Sequence, residues 1–382
     1  MSIFAPSVYR ESLGKCCNCE CQTLYAAATF CTIGISPEKS WGGGNIRSMK
    51  AQLAHTFEEL VSIENLLEAW RGFLPGKSSK SDVQQFQRLL IDNIVSLHSD
   101  LENGEYRHGA YTHFRISDPK PRDIHKATVR DRLVHHAIYH ILYPFFSRIF
   151  IADSYSCQLK KGTHRAMERF RFFAGKASSN NTQTCWALKG DIRKFFANID
   201  HNVLLRQLED YIPDMRIMAL LREAIQSFSW KPGIGLPLGN LTLQLFVNIY
   251  MTSFDQFVKH KLKAVHYIRY ADDFVILSRD REWLEGLVPQ LAEYLENRLT
   301  LHLHPTKVFI KTYASGVDFL GWVHFPRHRI LRTVSKRRML KRIAEHPEYA
   351  TLQSYLGMLR HGSTKKLAEH ILNESHLWRQ TY

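Results

Sequence analysis

Apolar residues recur every three or four positions through five long stretches of the chain. In residues 51–70, for example, Leu53, Phe57 and Leu60 follow this spacing. It places apolar side chains on one face of an α-helix. The same spacing recurs in residues 83–101, 129–146, 241–262 and 282–299. The pattern therefore predicts a helix in each of the five stretches.

Shorter apolar runs in the middle of the chain are typical of strands. Residues 186–188 form a run that leads to Asp191, as a buried strand would. The apolar stretch 265–277 is interrupted by polar residues 270–273, which fits two strands joined by a turn. Further extended segments are expected at 113–116, 301–311 and 317–325, with a basic turn at 119–122 and a helix beyond residue 327. Strands and helices that alternate irregularly between helical ends predict an α+β fold.

The formal net charge of +15 changes this picture, because it favours a polyanionic partner. Anionic membranes and nucleic acids both meet that description. No apolar run reaches the roughly 18–20 residues that a membrane span needs. The N-terminus also lacks the order of segments that marks a secretory signal. We therefore expect a cytoplasmic protein that binds nucleic acid and no membrane.

Five of the seven cysteines crowd the N-terminus: Cys16, Cys17, Cys19, Cys21 and Cys31. Cys16 and Cys19 have the CxxC spacing of metal sites. However, no second CxxC and no histidine pair follows at zinc-finger spacing. A metal site and a set of reduced thiols both remain open, and the missing second half of the motif favours the thiols.

Three aspartates stand in otherwise apolar surroundings: Asp191, Asp272 and Asp273. Carboxylates in apolar strands are costly unless something neutralises them. Mg²⁺ binds a few carboxylates together with phosphates and water. Two such ions about 4 Å apart can activate an attacking hydroxyl and stabilise a leaving pyrophosphate. A solvated turn is the alternative for the adjacent pair, but the apolar residues on both sides argue against it.

Three segments together resemble the motifs of bacterial reverse transcriptases. Tyr270-Ala271-Asp272-Asp273 resembles their YxDD box. Residues 191–201 look like the first catalytic motif, and residues 235–244 look like the next one, in the right order and at the right spacing. The resemblance extends over about residues 50–375. It implies an RNA-directed DNA polymerase that makes cDNA from an RNA template and dNTPs.

This resemblance also implies a right-hand polymerase fold with palm, fingers and a helical thumb. The expected division is an irregular cysteine-rich extension (1–48), N-terminal helices and fingers (49–185), a palm with interleaved fingers elements (186–325) and a basic helical thumb (326–382). Four basic residues of the thumb suit a sequence-independent grip on nucleic acid: Arg337, Arg338, Lys341 and Arg342. A solvated basic helix is the alternative.

The family pattern also implies the residues of a metal site. Asp191 and Asp272 correspond to the carboxylates that bind two Mg²⁺ ions, with Mn²⁺ as the alternative metal. Asp273 is the second aspartate of the box and coordinates less directly. Ile192 falls where the family offers a backbone carbonyl to the metal.

A further set of residues corresponds to the family's dNTP-binding positions: Lys120, Arg122, Phe196, Leu238, Gln244 and Lys307. Lys120 and Arg122 match the basic pair that holds the triphosphate, with a solvated turn as the alternative. Phe196 falls where an aromatic ring would collide with a 2′-hydroxyl and so select dNTPs. The alternative for Phe196 is a core position.

Residue 238 bears on which reverse transcriptase the chain resembles. Many bacterial intron enzymes have glutamine there, whereas this chain has Leu238, as in diversity-generating retroelements. Residues 153–157, 162–164 and 354–361 also look like that group, while Leu243 and the N-terminal extension depart from it. Defence-associated enzymes that work with a structured noncoding RNA are the second group. We expect antiviral defence, with diversification and a catalytically inactive relative as alternatives, and leave a protein partner or homo-oligomer open.

Overall fold

A computed structural model describes residues 51–117 and 121–380, with side chains described up to residue 373. The N-terminal cysteine cluster and Lys120 therefore lie outside the described residues. Helices and short antiparallel sheets build the described chain, and this mixture confirms the α+β fold expected of a reverse-transcriptase-like palm, fingers and thumb. Within the described ranges, no helix is both long enough and apolar enough to cross a membrane.

The first predicted helix is two helices, α1 (Phe57–Val61) and α2 (Ile63–Phe73). Ser62 breaks it, because its backbone is extended and its hydroxyl accepts a hydrogen bond from Asn65 N at 3.1 Å, which caps α2. The apolar face continues across the break, so the hydrophobic spacing alone does not show it. Leu60 and Leu66, on either side of Ser62, are both buried.

The second predicted helix is also divided, into α3 (Ser81–Arg88) and α4 (Leu90–Glu102), at a non-helical Leu89. The third prediction is confirmed at both ends by α5 (Val129–Phe146). This helix is buried along most of its length and packs against α2. Its N-terminus is capped by Thr128, whose hydroxyl accepts from Asp131 N at 3.2 Å.

Two strands precede α5 and form a hairpin, β1 (Thr112–Ile116) and β2 (Arg122–Lys126). The extended segment at 113–116 is thus confirmed. The basic turn expected at 119–122 is wrong at its last residue, since Arg122 begins β2 and pairs with Ile116. The sequence analysis did not predict the helix that follows α5, α6 (Thr163–Ala177).

The central sheet has four antiparallel strands in the order β4-β5-β3-β6. They are β3 (Trp186–Asp191), β4 (Tyr267–Tyr270), β5 (Asp273–Ser278) and β6 (Phe309–Thr312). The strands expected at 186–191 and 265–277 are confirmed, whereas the one expected at 301–311 is confined to β6. The remaining helices of this region are α7 (His201–Glu209), α8 (Met215–Gln226), α9 (Leu241–Gln256) and α10 (Arg281–Leu299).

Helix α9 is buried on nearly all sides, and a π-helical turn, Phe257–Lys261, extends it over almost the whole predicted segment 241–262. The last sheet contains β7 (Val317–Phe319), β8 (Trp322–His324) and β9 (Arg329–Leu331). The helix expected beyond residue 327 therefore begins only at Thr333, because β9 precedes it. It is followed by α11 (Thr333–Glu345), α12 (Tyr349–Leu359) and α13 (Lys365–Gln380).

Candidate active site

Strand pairing brings the three candidate aspartates to one end of the central sheet. Asp191, the last residue of β3, is the register partner of Asp273, the first residue of β5. Asp272 lies in the two-residue turn between β4 and β5, and its carbonyl accepts a hydrogen bond from Ile192 N at 3.2 Å. Ala271, the other turn residue, has a φ of 55°. The turn therefore fixes both aspartates of the YxDD-like box next to Asp191.

The electrostatics of this cluster show an excess of negative charge. Burial, together with the charges of Asp273 and Asp191, raises the pKa of Asp272 to about 6. Burial also raises the pKa of Asp273, against the opposing effect of Lys189, whose Nζ lies 3.4 Å from Asp273 Oδ1. Like charges close together disfavour ionisation in this way. A cation placed between the carboxylates would relieve the repulsion.

A second cation, besides Lys189, contacts the cluster. Lys307 Nζ donates to both carboxylate oxygens of Asp191, at 2.9 and 3.0 Å. The lysine side chain is 46% exposed, so solvent weakens this ion pair. The sequence analysis assigned Lys307 to dNTP binding, and its contact with Asp191 is a finding that sequence reasoning missed.

The residues present fit a magnesium site by their chemistry. Among the described residues, no three Asp, Glu, His or Cys side chains form a ready-made metal-binding group. Mg²⁺ does not need one, because it takes most of its oxygens from substrate phosphates and water around one or two carboxylates. Asp191 and Asp272 could supply those carboxylates, and the Ile192 carbonyl lies next to Asp191 in the chain.

Phe196 follows Asp191 by five positions, in a short 3₁₀ helix, Phe195–Asn198. Its neighbour Phe195 is buried in the main core, whereas Phe196 is only half-buried. The carbonyl of Phe196 accepts a hydrogen bond from Leu236 N at 3.0 Å. The backbone therefore joins the first motif to the second, and the Phe196 side chain remains partly exposed.

The second motif also contacts the β1–β2 hairpin. His125 N donates to the carbonyl of half-buried Leu238 at 2.9 Å. Gly239 has a φ of 127°, and a Cβ at this position would lie 3.3 Å from the carbonyl oxygen of His125. A side chain at position 239 would press on the hairpin, which explains the glycine. Gln244 is half-buried on α9.

Residues 117–324 match the family model described as "Reverse transcriptase (RNA-dependent DNA polymerase)". The match covers more than half of the chain. The chain belongs to the reverse transcriptase family. This result confirms the family that the sequence motifs indicated. The resemblance to its diversity-generating and defence-associated groups stays a prediction.

Two similar relatives are bacterial. The chain is 23% identical over 314 residues to Protein YkfC of Escherichia coli (strain K12), in an alignment that covers 72% of the chain and 80% of YkfC. It is 23% identical over 271 residues to Group II intron-encoded protein LtrA of Lactococcus lactis subsp. cremoris, covering 53% of the chain and 44% of LtrA. The chain thus spans less than half the length of LtrA.

Among solved structures, telomerase from Candida albicans in complex with a TWJ fragment of telomeric RNA is similar with a TM-score of 0.48. The identity is 11%, over 72% of the chain and 55% of that telomerase chain. Telomerase from Candida tropicalis gives a TM-score of 0.43 at 12% identity, over 63% of the chain and 60% of that chain.

The candidate fingers and thumb residues lie on separate elements of this reverse transcriptase. Arg122 is exposed at the start of β2. The four basic thumb residues all lie on α11, where Arg337 and Lys341 are exposed and Arg338 and Arg342 are half-buried. Lys341 Nζ lies 3.6 Å from Glu345 on the same helix. The helix therefore presents positive charge over about two turns.

A buried network under the YxDD-like turn was missed by the sequence analysis. The fully buried guanidinium of Arg269 donates to Asp255 Oδ1 and Oδ2 at 2.8 and 2.7 Å and to the carbonyl of Ala271 at 3.0 Å. It also donates to Ser154 Oγ and to Asn248 Oδ1. The available signal was a lone charge in each of two apolar segments, Arg269 in β4 and Asp255 in α9.

Proposed function

We propose that this chain is an RNA-directed DNA polymerase that makes cDNA from an RNA template by a two-metal mechanism. The observation that carries the proposal is the meeting of Asp191, Asp272 and Asp273 at one end of the antiparallel sheet. Burial, together with the charges of Asp273 and Asp191, raises the pKa of Asp272, and a bound cation would offset both effects. A paired-carboxylate nuclease would share this feature, but it would need no sugar-selecting ring and no triphosphate clamp.

Each candidate residue has a role in this chemistry. Asp191, Asp272 and the Ile192 carbonyl would hold two Mg²⁺ ions, or Mn²⁺ in their place. When bound, the ions supply activation of the primer hydroxyl and neutralisation of the leaving pyrophosphate. The protein itself contributes position and charge: Asp273 adds negative potential, while Lys120 and Arg122 hold the triphosphate in line.

The nucleotide pocket would be shaped by the first two motifs. The half-buried Phe196 ring would exclude a 2′-hydroxyl and so select dNTPs, while Leu238 and Gln244 would border the base and sugar. The basic face of α11 would grip the template–product duplex through phosphates, without reading sequence. The net charge of +15 suits this grip.

We further propose that the template is a structured noncoding RNA and that the role is antiviral defence. The support is the sequence resemblance and the strongly basic chain. RNA that copurifies with the protein would identify the template by sequencing. If that RNA were a repeat copied into a variable gene, the diversification role would replace the defence role and leave the polymerase assignment intact.

The test of the polymerase assignment is Asp272→Asn, which removes charge with little change in volume. Incorporation of dNTPs on a primed RNA template should fall by several orders of magnitude while the circular dichroism spectrum is retained. Asp92→Asn, on the exposed side of α4, is the matched control and should keep full activity. Retained incorporation by purified Asp272→Asn would refute the assignment.

A further inference from the structure

A basic cavity of about 210 Å³ lies between α6, the turn that joins β8 to β9, and the loop after α12. Four arginines line it: Arg171, Arg327, Arg329 and Arg360. Three histidines complete its polar wall: His324, His328 and His361. Within the described part of the chain, no aspartate or glutamate belongs to this lining. We call this cavity the arginine cavity.

The arginine cavity is at the opposite end of the central sheet from the aspartates. Tyr313 lines it and follows Thr312, the register partner of Trp186 at the start of β3. Asp191 is the last of the six residues of β3, which places it about 16 Å away along the strand. The arginine cavity is therefore distinct from the candidate active site.

The positive charge of the cavity's arginines is largely uncompensated by the carboxylates that the structure describes. Arg171, Arg327 and Arg360 are exposed and form no ion pair with any residue that the structure describes. Arg329 donates from Nε to the carbonyl of His361. Burial lowers the pKa of Arg329, and the charge of Arg171 adds to this effect against the attraction of Glu168. An anion in the cavity would offset the repulsion among the four guanidinium groups.

Flat rings accompany these charges. Phe325 and His328 are stacked, with ring centroids 4.8 Å apart and planes 11° apart. His361 stacks on His164 of α6 at 3.6 Å. Guanidinium groups beside stacked rings are the combination that proteins use for single-stranded nucleic acid, where phosphates bind the cations and bases stack.

The surroundings favour a chain of phosphates over one small anion. A second cavity of about 550 Å³ adjoins the arginine cavity, and both are lined by Arg171 and Tyr313. Lys176, Asn180 and Asn181 add a cation and amide groups there, beside one carboxylate, Glu168. The two cavities form one groove along α6, longer than a single phosphate needs, in which Phe172 and Tyr313 add aromatic surface to the cations.

The loop after α12 is held firmly in place on this groove. Ser363 N donates to the carbonyl of Arg329 at 2.8 Å. Gly362 lies so close to the ring of Trp322 that a Cβ would come within 2.0 Å of Trp322 Cζ3. Arg360 and His361 are therefore held at the groove by a fixed backbone.

We propose that the arginine cavity and the adjoining groove bind a single-stranded segment of the RNA partner, apart from the segment being copied. This inference rests on the proposed function, because it takes RNA as the partner. RNA held here would stay attached while another segment enters the candidate active site. The segments 162–164 and 354–361, which resemble one group of the family, meet at this place through the His164–His361 stack.

The test removes two exposed cations of the groove, in the double variant Arg171→Gln/Arg360→Gln. Its matched control, Arg148→Gln/Arg298→Gln, removes two exposed arginines far from the groove in sequence and outside its lining. Binding of a fluorescent, unstructured 30-nucleotide RNA is measured by anisotropy across a salt series. Each lost phosphate contact lowers the slope of log K against log salt by about 0.7 for single strands. We expect the slope to fall by about 1.4 and Kd to rise roughly tenfold, with no change in the control.

A second measurement separates this site from the active site. Single-nucleotide extension of a DNA primer on a short RNA template with one unpaired base should stay within about twofold of wild type. The proposal is overturned if the groove variant, the control and the wild type bind RNA equally. The same equality is expected if the cavity binds only inorganic phosphate. Lost extension with unchanged RNA binding would overturn it as well. Failure of the polymerase assignment would appear differently, as a wild type that binds RNA but incorporates no dNTP.

Discussion

Replacing Arg269 by methionine tests how the buried network supports the YxDD-like turn. Methionine has a similar length but no charge and no donor. The change leaves Asp255 buried, with the Tyr267 hydroxyl, 2.7 Å from Oδ1, as its remaining donor in the network. Breaking one partner of a buried ion pair costs about 3–5 kcal/mol, because the other charge stays uncompensated. The free energy of unfolding should therefore fall by about 3–5 kcal/mol, measured by urea denaturation.

Activity should fall further than the loss of folded protein explains. Arg269 Nη1 holds the carbonyl of Ala271, whose φ of 55° is costly for a residue with a Cβ. Without this donor, the turn would relax and move Asp272 relative to Asp191. Displacements of about 1 Å at a reacting centre can cost on the order of a hundredfold in rate. We expect a decrease of this size in kcat on a primed RNA template.

The double variant Arg269→Met/Asp255→Leu separates the two effects. Removing the stranded carboxylate should restore most of the unfolding free energy, because no buried charge remains. It restores no donor to Ala271, so kcat should stay low. If the double variant recovers both stability and kcat, Arg269 serves only to neutralise Asp255. A loss of less than 1 kcal/mol in the single variant would contradict the buried-pair argument itself.

Three other substitutions test separate parts of the chain. Phe196→Ala should raise the efficiency of rNTP incorporation relative to dNTP, and an unchanged ratio would make Phe196 a core residue. Leu238→Gln restores a side chain that can form a hydrogen bond worth roughly 1 kcal/mol, so sequencing of the cDNA should show about fivefold fewer errors, above all opposite adenine. An already accurate wild type that the change leaves unaltered would count against diversification. His136 is buried among cationic neighbours, which lowers its pKa from 6.5 to about 3. The unfolded chain therefore takes up a proton first as pH falls below 6.5, and stability is lost. His136→Leu should remove about 2 kcal/mol of the loss between pH 7 and pH 5, measured by urea denaturation at both values, and an undiminished loss would exclude burial of His136 as its source.

Elements with a long or clearly interrupted pattern could be predicted from the sequence. Helix α5 was predicted at both ends, because 18 consecutive residues keep helical spacing. The β4–β5 hairpin was predicted because polar residues divide one apolar stretch. Helix α6 was missed, although Ala166, Phe170 and Phe173 follow helical spacing. Its basic and aromatic residues concealed the periodic face.

Breaks between elements depend on local geometry that hydrophobic spacing does not record. Ser62 divides a predicted helix because its hydroxyl caps the second half. Strand β9 has only three residues and depends on pairing with β8, so nothing local distinguishes it from the helix that follows. Such elements are decided by tertiary contacts more than by propensity.

The partners of charged side chains were the least predictable part of the site. A lone charge in an apolar segment shows that a partner exists, but the partner can come from any element that packs nearby. Asp255 and Arg269 meet because α9 lies beside β4, and Lys307 reaches Asp191 from 116 positions away. A buried charge needs a neutralising partner, and here that partner comes from a segment that is distant in the sequence.

Lys307 has two roles, an observed ion pair with Asp191 and an expected contact with dNTP. In the structure its ammonium group occupies the Asp191 carboxylate, which the proposed mechanism assigns to Mg²⁺. The ammonium group and Mg²⁺ would repel each other if both contacted the same carboxylate, so simultaneous binding at Asp191 is unfavourable. The lysine side chain is 46% exposed and can leave without a large change in burial. The family pattern places Lys307 at the dNTP, so we expect an ammonium group displaced from Asp191 to contact the incoming triphosphate. The contact with Asp191 and the expected contact with dNTP are therefore compatible, because a metal ion bound to Asp191 would displace the lysine.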